Sequence, residues 1–486
     1  MSNVLKRTML CYPPGKLYMR GEDRCQANIE ASTASAMRAC NDLGYAAAVL
    51  LQKGYEVYLK DYQTEGLSEE VLLNDLEKEN IGLFVMSTTN TTVFDDIALV
   101  NRIRQKFDCK VILKGAVFYA AERQMLDMLD FSNVDFLIGG EIDFAIGKLA
   151  DYVFKSEGKL MDIDNIFYKN SDGKMVPTRF HVWEKDLDSV PFPARQLMNN
   201  NLYVRPDTGE AMATIQTARG CPSSCIYCLS PEISGKAVRF RSPQNVYDEL
   251  LECYEKFNIK NFFFKADTFT INEKWVTQLC NLIIASPLYK KIHFTANSRV
   301  RPLKYETLKL MKKAGCFMVA FGFESGSQAT LDKIKKGATV EENLQAAKWC
   351  RKARLPFYGF FMIGFPWETK EEVNITIKHI FEVNPSFMEI SIVLPYYGTA
   401  LYEECKKTNV LAKSPLGSDF FHSNTTGTAT VPMSELMDMR KKAMLRFYLR
   451  PTYVVKKIAH ALIKPVVLKN YVKYGIRLLK NLARKS

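Results

Sequence analysis

The sequence predicts an α/β protein built from two successive sheet domains and a helical tail. Three observations predict this fold: apolar segments of strand length recur along residues 1–405, helical apolar periods fall between them, and residues 436–486 carry short helical periods rich in cations. Strands that alternate with helices favour parallel sheets covered by helices. The length of 486 residues allows about three structural units at roughly 150 residues each.

Residues 1–155 are predicted to form a doubly wound, Rossmann-like domain with a parallel sheet. Its strands are marked by five apolar runs: Thr8–Tyr12, Glu56–Leu59, Gly82–Met86, Lys110–Leu113 and Val134–Ile138. Helical periods between them include Ala36–Lys53, Glu69–Lys78 and Phe94–Lys106. Ligands of such sheets bind at the carboxyl ends of the strands, so we expect the function of this domain at that edge.

A connector is predicted at 156–205, with a hairpin over Asn165–Phe180 that turns at Asp172 and Gly173. Residues 206–405 again alternate strands and helices. The strand candidates are Met212–Thr217, Asn261–Lys265, Ile292–Ala296, Phe317–Phe321, Phe357–Met362 and Met388–Val393. Six strand–helix units fall short of the eight of a complete barrel. We therefore predict a partial (β/α)6 TIM-type barrel, followed by a helical basic region at 406–486.

The positive charge of the chain is concentrated in its tail. The formal net charge is +13, and residues 440–486 hold 14 Lys and Arg but no Asp or Glu. The rest of the chain is close to neutral, which argues against a nucleic-acid-binding body. Amphipathic cationic helices suit an anionic membrane surface; the alternative is that they pack on the barrel with a solvated basic face. Both interpretations stay open on the sequence.

The sequence shows no segment typical of export or membrane insertion. Residues 1–7 are polar and basic, and no window reaches the roughly 20 apolar residues of a membrane span. We therefore expect a cytoplasmic protein, peripheral at the inner membrane face if the tail binds lipid. No nucleic-acid partner is expected.

Three of the 12 cysteines cluster in one short segment. Cys221, Cys225 and Cys228 follow a predicted strand, at the strand end where barrel enzymes place their chemistry. Thiolates are the ligands of iron–sulfur clusters, and spacings of three and two residues let one loop hold three corners of a cubane. Three ligands leave the fourth iron open. A four-cysteine zinc site would need a second pair, which the sequence lacks, so a 4Fe-4S cluster is predicted.

This segment resembles the signature of the radical S-adenosylmethionine (SAM) superfamily, in which an aromatic residue precedes the last cysteine. Tyr227 holds that position here. The resemblance implies that the open iron chelates the amino and carboxylate groups of SAM, while Tyr227 packs against the adenine. It further implies reductive cleavage of SAM to methionine and a 5′-deoxyadenosyl radical, under anaerobic conditions and with an external electron donor such as flavodoxin or ferredoxin.

Further segments resemble the SAM-contacting strand ends of that superfamily. They are Phe264–Thr270, Asn297–Arg299, Phe321–Ser327, Gly359–Pro366 and Pro395–Thr399, about one per strand–helix unit. The SAM contacts implied by this resemblance are Tyr227, Asp267, Asn297, Arg299, Glu324 and Ser325. Because this resemblance extends over the whole barrel, we expect the chain to be an enzyme.

A parallel-sheet domain before such a barrel resembles the cobalamin-binding domain of one large subgroup. The cobalamin contacts that this implies are Ser87, Thr88, Thr89, Asn90, Gly115, Gly139, Gly140 and Glu141. The first-strand loop, Cys11–Pro14 and Arg20–Gln26, also resembles this subgroup. No histidine precedes His181, so the domain would supply no histidine as the lower cobalt ligand, which is typical of the radical SAM methylases.

The resemblance therefore implies a cobalamin-dependent C-methyltransferase that acts on an unactivated carbon. Among secondary metabolites, a lipid becomes the favoured substrate if the basic tail binds a membrane. No acid–base catalytic residue is assigned, because the cofactors carry the hard chemical steps. One alternative is a radical SAM cyclase, oxidoreductase or carbon–carbon coupling enzyme without methyl transfer. Another is a membrane-associated, non-catalytic sensor.

Overall fold

The computed structural model describes residues 6–20, 37–119, 123–418 and 427–483. Part of the predicted first-strand loop, 21–26, lies outside these described residues.

The N-terminal strands are β1 (Arg7–Tyr12), β2 (Glu56–Asp61), β3 (Leu83–Ser87), β4 (Lys110–Lys114), β5 (Phe136–Ile138), β6 (Ile166–Lys169) and β7 (Met175–Pro177). The helices are α1 (Asn41–Gln52), α2 (Tyr62–Glu65), α3 (Glu69–Glu79), α4 (Val93–Arg104), α5 (Arg123–Leu126) and α6 (Ile142–Lys155).

The N-terminal sheet has the strand order β2-β1-β3-β4-β5-β6-β7. Its first five strands are parallel, as the sequence predicts for a doubly wound domain. The order reverses beside β1, and ligands of such sheets bind at the carboxyl end of this switch point. Strand β3 is buried along its whole length, which explains its uninterrupted apolar sequence.

The predicted hairpin of the connector is present, and it extends this sheet. Strands β6 and β7 pair antiparallel, and β6 pairs antiparallel with β5. Gly173 at the turn has a φ of 75°, a left-handed conformation that glycine adopts without steric cost. Two antiparallel strands thus close the edge of an otherwise parallel sheet.

The second sheet belongs to the partial barrel. Its strands are β8 (Met212–Gln216), β11 (Asn261–Lys265), β12 (His293–Ser298), β13 (Cys316–Glu324), β14 (Phe357–Ile363) and β15 (Phe387–Ile392), with a small antiparallel pair, β9 (Ala218–Arg219) and β10 (Arg239–Phe240), after β8. The helices are α7 (Ser230–Ser234), α8 (Pro243–Phe257), α9 (Glu273–Ile284), α10 (Tyr305–Lys313), α11 (Gln328–Lys333), α12 (Val340–Lys352), α13 (Lys370–Val383) and α14 (Ala400–Lys407).

The six large strands are all parallel, in the order β15-β14-β13-β12-β11-β8. Within the described chain the two outer strands do not pair with each other, so the barrel is open, as six units rather than eight imply. Aromatic side chains fill the core: the rings of Phe264 and Phe294 stack 4.4 Å apart, and those of Phe323 and Phe361 stack 5.4 Å apart. The predicted α/β fold is confirmed.

Local sequence signals fix where the helices after the strands begin. Thr339 and Glu342 form a capping box at the start of α12, and Thr369 and Glu372 form another at α13. Each box satisfies backbone N–H groups that a helix leaves without partners in its first turn. These caps hold the connections at the carboxyl ends of the barrel strands, where the candidate site lies.

The tail has three helices, α15 (Met433–Tyr448), α16 (Pro451–Ile463) and α17 (Val466–Ala483). Helix α15 packs on β15, where the hydroxyl of Tyr448 donates to the carbonyl oxygen of Met388 over 2.6 Å. Helices α16 and α17 contact each other as a hairpin. Among the described residues, no helix combines the length and apolarity needed to cross a bilayer.

Candidate active site

The loop that carries the three clustered cysteines follows β8 and β9. It begins at Gly220, whose φ is 95° and where a Cβ atom would lie 2.2 Å from the carbonyl oxygen of Ala237. Only glycine fits this turn without displacing backbone. The N–H of Cys221 donates to the carbonyl of Gly235 over 3.0 Å, and that of Cys228 donates to Cys225 over 3.2 Å. The backbone thus fixes the loop without using the thiols.

All three thiols line one cavity of about 250 Å³. The guanidinium of Arg299 donates to the sulfur of Cys225 over 3.5 Å, and the N–H of Ser230 donates to the sulfur of Cys228 over 3.4 Å. Donors of this kind stabilise thiolate ligands. Over the described residues, no group of three His, Cys, Asp or Glu is arranged around a single metal ion. A cubane does not require this arrangement, because each cysteine binds a different iron.

Five of the six residues predicted to contact SAM line this same cavity: Tyr227, Asp267, Asn297, Arg299 and Glu324. They come from the cysteine loop and from the carboxyl ends of β11, β12 and β13, so the parallel strands bring them to one edge. The sixth, Ser325, is fully buried beside the cavity, where its hydroxyl lies 2.9 Å from that of Thr376 and accepts from the N–H of Ser327 over 3.1 Å. Ser325 thus holds the turn that follows Glu324.

A bulge at the end of β13 accompanies the turn of Glu324 into the cavity. The pairing of β13 with β14 shifts register between Gly322 and Glu324, and Glu324 has a φ of 64°, an uncommon conformation for a residue with a Cβ atom. Bulges and strained residues of this kind occur beside active sites, where they redirect a side chain. Gly322 leaves room for the Glu324 side chain, because a Cβ atom there would lie 2.2 Å from its Oε1.

Lys336 was not identified as a site residue from the sequence. Its ammonium donates to Glu324 Oε1 over 2.6 Å and to the Tyr227 hydroxyl over 3.4 Å, and its carbonyl accepts from Arg299. Lys336 is 4% exposed and lines the cavity. Burial raises the pKa of the Tyr227 phenol well above its usual value, so the ring stays neutral beside this ion pair.

Thr268 is a second residue whose individual role was not predicted. It lines the cavity, is 4% exposed, and its hydroxyl has no hydrogen-bond partner among the described residues. A buried hydroxyl without a partner costs free energy unless a ligand completes it. The cavity thus offers the Glu324–Lys336 ion pair, the Thr268 hydroxyl and apolar walls. Together these groups suit a ligand that carries both a positive and a negative charge and a large ring. The cavity therefore fits SAM, and the three thiols fit a 4Fe-4S cluster.

The N-terminal sheet faces the same cavity from the other side, through Asn90, Ala116, Val117 and Met125. Of the eight residues predicted to contact cobalamin, only Asn90 lines the cavity. Its amide also donates to the carbonyls of Pro415 (2.8 Å) and Ser418 (3.1 Å), so it anchors a loop from beyond the barrel. This wall of mainly small and apolar side chains, which includes no histidine, would hold one face of a macrocycle.

The remaining predicted cobalamin contacts are mostly satisfied within the protein. Thr88 donates to Asp96, and the hydroxyls of Thr89 and Thr92 lie 3.0 Å apart. The Ser87 hydroxyl, buried at the end of β3, lacks a partner in the described part of the chain. The three glycines pack against protein. An added Cβ atom at Gly115 would lie within 3 Å of Thr88, and one at Gly139 or Gly140 would lie within 3 Å of the Phe118–Tyr119 segment.

The carboxylate of Glu141 forms an ion pair across the two domains. Arg239 donates to both of its oxygens, one of them at 3.0 Å, and the neighbouring Asp143 accepts two bonds from Arg219 at 3.1 and 2.8 Å. All four side chains are buried. Burial raises the pKa of Glu141, while Arg219 and Arg239 oppose that rise. This cluster fixes the N-terminal sheet against the start of the cysteine loop.

We expect Gly139→Ala to destabilise the protein in the absence of any cofactor. The added Cβ atom would lie 2.7 Å from the backbone nitrogen of Tyr119, and overpacking of this kind costs about 1–3 kcal/mol. Thermal unfolding of the cofactor-free protein measures the effect. Gly475→Ala is the control, since nothing lies within 4 Å of its Cβ position. An unchanged midpoint for Gly139→Ala would show that this glycine serves only the approach of a ligand.

Glu368 holds the turn after β14, which packs against Tyr227. Its Oε2 accepts from the N–H groups of Gly364 (2.7 Å) and Phe365 (3.0 Å), in the turn after β14. The ring of Phe365 meets Tyr227 edge-on at 6.3 Å. Glu368 is fully buried, and burial raises its pKa to about 7.

We expect stability to fall as pH rises through neutrality because of Glu368. A carboxyl whose pKa is raised in the folded state stabilises the fold below its unfolded pKa and loses this contribution as pH rises through about 7. The loss amounts to about 3 kcal/mol. Unfolding midpoints measured between about pH 5 and pH 8 should fall for the native chain and stay flatter for Glu368→Gln. Glu371→Gln, at the exposed neighbouring glutamate, should behave like the native chain.

Comparison with known proteins agrees with the geometry of the site. Residues 215–380 match the model of the radical SAM superfamily. The chain is 29% identical over 424 residues to the "uncharacterized methyltransferase PH0819" of Pyrococcus horikoshii, across 86% of this chain and 89% of that protein. It is 30% identical over 224 residues to the anaerobic magnesium-protoporphyrin IX monomethyl ester cyclase of Cereibacter sphaeroides, across 46% of this chain and 36% of that protein.

A solved structure shares the fold of both sheet domains. The radical SAM methyltransferase TsrM from Kitasatospora setae, with cobalamin and a 4Fe-4S cluster bound, superposes with a TM-score of 0.66 at 16% identity, across 84% of this chain and 76% of that one. The resemblance stated from the three-cysteine segment is therefore confirmed. Residues 215–380 form a radical SAM domain, the domain of an enzyme family that uses SAM and a 4Fe-4S cluster.

Proposed function

We propose that this protein is a cobalamin-dependent radical SAM methyltransferase that acts on an unactivated carbon of a small molecule. The observation that carries the proposal is the single cavity between the two domains, lined on one side by Cys221, Cys225 and Cys228 and on the other by the carboxyl edge of the N-terminal sheet. A cavity shared by both domains would bring a cofactor held by the N-terminal sheet next to SAM held at the cysteine loop. The methyltransferase relative and the cobalamin-bound TsrM fold support this assignment.

The chain's own residues would bind and orient rather than transfer protons. The three thiolates hold the cluster, and Arg299 donates to one of them. Glu324 and Lys336, paired at 2.6 Å, offer opposite charges to the amino and carboxylate groups of SAM. Tyr227 lines the cavity and would pack against the adenine, and the buried ring of Phe365 supports Tyr227 edge-on. When bound, the cluster and SAM together would supply a 5′-deoxyadenosyl radical, and cobalamin would supply the methyl group.

Apolar side chains would limit the access of water to this chemistry. Phe360, Phe361, Met362, Ile392 and Leu394 line the cavity from β14 and from the end of β15 and the residues that follow it. Apolar walls of this kind protect a reactive intermediate from side reactions. No side chain in the cavity is assigned as an acid or base, because the proposed reaction moves a hydrogen atom and a methyl group between cofactor and substrate.

The proposal is tested anaerobically with reconstituted, reduced protein and SAM, in the presence and absence of added cobalamin. We expect 5′-deoxyadenosine in both cases and S-adenosylhomocysteine only with cobalamin. S-adenosylhomocysteine is the product left when SAM donates a methyl group, so its cobalamin dependence reports methyl transfer. Production of deoxyadenosine with cobalamin present but without S-adenosylhomocysteine would contradict a methylase.

That contrary outcome would favour a second candidate function, a radical SAM cyclase. The specific observation behind it is the 30% identity to the magnesium-protoporphyrin ester cyclase over 224 residues. The segment matched is shorter than the one shared with the methyltransferase relative, which spans 424 residues. We therefore place methyl transfer first and use the S-adenosylhomocysteine measurement to separate the two.

We further propose an external one-electron donor, such as flavodoxin or ferredoxin, and a peripheral position at the inner face of a membrane. SAM cleavage at a reduced cluster consumes one electron, which the chain itself does not supply. The basic tail supports the peripheral position, since 14 cations and no acidic residue occupy 440–486. We also propose that the chain divides into a cobalamin-binding-like domain (1–155), a connector (156–205), a radical SAM core barrel (206–405) and a helical basic region (406–486).

A further inference from the structure

The helical hairpin of α16 and α17 exposes a row of large apolar side chains on each helix. On α16 these are Val455 (64% exposed), Ile458 (54%) and Leu462 (77%), and on α17 they are Leu468 (52%), Val472 (52%), Ile476 (49%) and Leu479 (50%). They recur at three- or four-residue spacing, which places them on one face of each helix. The end of the hairpin is equally apolar, with Ile463 79% exposed. Contiguous exposed apolar side chains mark a contact surface.

Cations run beside the apolar row of α17. Lys469, Lys473 and Arg477 each follow an exposed apolar residue by one position, which places them about 100° round the helix on a parallel row. Residues 440–486 contain no Asp or Glu. An apolar face bordered by cations fits the plane where lipid headgroups meet acyl chains, with the cations among anionic headgroups.

The inner face of the hairpin is fixed to the barrel. The Tyr453 hydroxyl donates to the carbonyl of Ser386 over 3.1 Å, and the Asn470 amide donates to that of Asp207 over 2.9 Å. The ammonium of Lys457 lies 3.5 Å above the ring of Phe387, the first residue of β15. These contacts lie at the amino ends of the barrel strands. The hairpin is therefore docked by its polar and aromatic face, while its apolar face points away from the barrel.

We propose that this hairpin docks the protein on an anionic bilayer, with the amino ends of the barrel strands toward the lipid. A second copy of the chain fits the surface less well, since two hairpins would bring their cations together without an acidic residue to pair them. Nucleic acid would leave the apolar rows in water. The inference refines the proposed peripheral position and does not depend on the reaction, because no hairpin residue lines the cavity.

The position of the hairpin separates anchoring from catalysis. The cavity lies at the carboxyl ends of the same parallel strands, at the opposite end of the barrel from the hairpin. A docked hairpin would therefore hold the cavity away from the lipid surface rather than open it into the bilayer. We infer that the bilayer positions the enzyme and does not deliver substrate through the hairpin.

The test is sedimentation of the full, cofactor-reconstituted chain with vesicles. We expect binding to phosphatidylcholine vesicles that contain roughly one-third phosphatidylglycerol, at least about tenfold weaker binding to pure phosphatidylcholine, and loss of binding at high salt. The double substitution Leu462→Ser with Ile463→Ser should weaken binding at least about tenfold, and so should Lys469→Gln with Lys473→Gln. Ile375→Ser, at an apolar residue of α13 that is 47% exposed, is the matched control and should bind normally.

SAM cleavage measured on the same samples keeps this inference distinct from the proposed reaction. All hairpin variants should produce deoxyadenosine at the native rate, and a loss of cleavage would contradict the separation of anchor and cavity. Equal binding to both vesicle types, or no binding, would overturn the bilayer assignment. A dimer that dissociates on Leu462→Ser substitution, without vesicle binding, would overturn it in favour of a second copy. Failure of the methylase proposal would instead appear as missing S-adenosylhomocysteine with intact vesicle binding.

Discussion

Cys225→Ala should abolish reductive SAM cleavage while leaving the fold intact. The Cys225 sulfur lines the cavity and accepts from Arg299 over 3.5 Å, whereas the loop itself is fixed by backbone hydrogen bonds of its neighbours. With two ligands in place of three, the cluster is not retained. We expect deoxyadenosine to fall at least about a thousandfold, equivalent to about 4 kcal/mol in the barrier.

The matched control for this variant is Cys280→Ala. Cys280 is fully buried in α9, within the apolar core of the barrel, so it tests the loss of a thiol outside the cavity. Iron content, the visible absorbance of the reconstituted protein and the thermal midpoint are measured for both variants. Cys280→Ala should retain iron and activity. Retention of iron and of SAM cleavage by Cys225→Ala would remove this cysteine from the cluster assignment.

The fold was predictable where strands are buried on both faces, as in β3 and β11. Strand β11, Asn261–Lys265, lies where its apolar run predicts, and the three phenylalanines of that run are buried. Strand β13 is longer than the predicted Phe317–Phe321 and ends at Glu324. The change in chain direction at the end of β13 accompanies a shift in the register of its pairing with β14. A shift of this kind is set by the neighbouring strand, so the sequence of one strand does not reveal it.

The part of the candidate site that lies within one loop could be predicted from the spacing of its residues. The part that forms only when separate segments come together could not. The three cysteines lie in one loop and needed no tertiary information. Lys336, by contrast, belongs to the run Lys333–Lys336, which is typical of a solvated charged surface. Its burial follows from Glu324 and Arg299, which reach it only in the folded barrel. Pairing with a distant carboxylate is the usual condition for burying a lysine, and sequence patterning carries no sign of it.

Glu141 shows the same limit at the domain boundary. From its strand-end position it was predicted to contact cobalamin, and the structure pairs it with Arg239, which lies 98 residues further along the chain. The pairing explains why a charged residue occupies a buried loop, since each charge satisfies the other. A contact with cobalamin remains a prediction for this residue. Its measurable consequence in the cofactor-free protein is the stability of the domain contact.

Arg239→Ala should destabilise the contact between the two domains by about 3–5 kcal/mol, because it leaves the Glu141 carboxylate buried without its main partner. Arg239 also donates to the carbonyls of Glu184 (2.7 Å) and Ser234 (2.9 Å), so these acceptors lose a donor as well. Arg219 remains 3.4 Å from Glu141 and compensates only in part, since it already binds Asp143. The double variant Arg239→Met with Glu141→Leu should recover much of the loss, because no unpaired charge then stays buried.

A double-mutant cycle decides whether this ion pair, rather than general packing, carries the effect. Thermal unfolding and limited proteolysis are measured for the native chain, Arg239→Ala, Glu141→Gln and their combination. Coupled residues give a combined loss smaller than the sum of the single losses. Arg179→Ala is the control, because Arg179 pairs with Asp164 on the exposed surface, where such pairs contribute at most about 1 kcal/mol. Strictly additive losses at Arg239 and Glu141 would mean that the domains are held together by their apolar contacts instead.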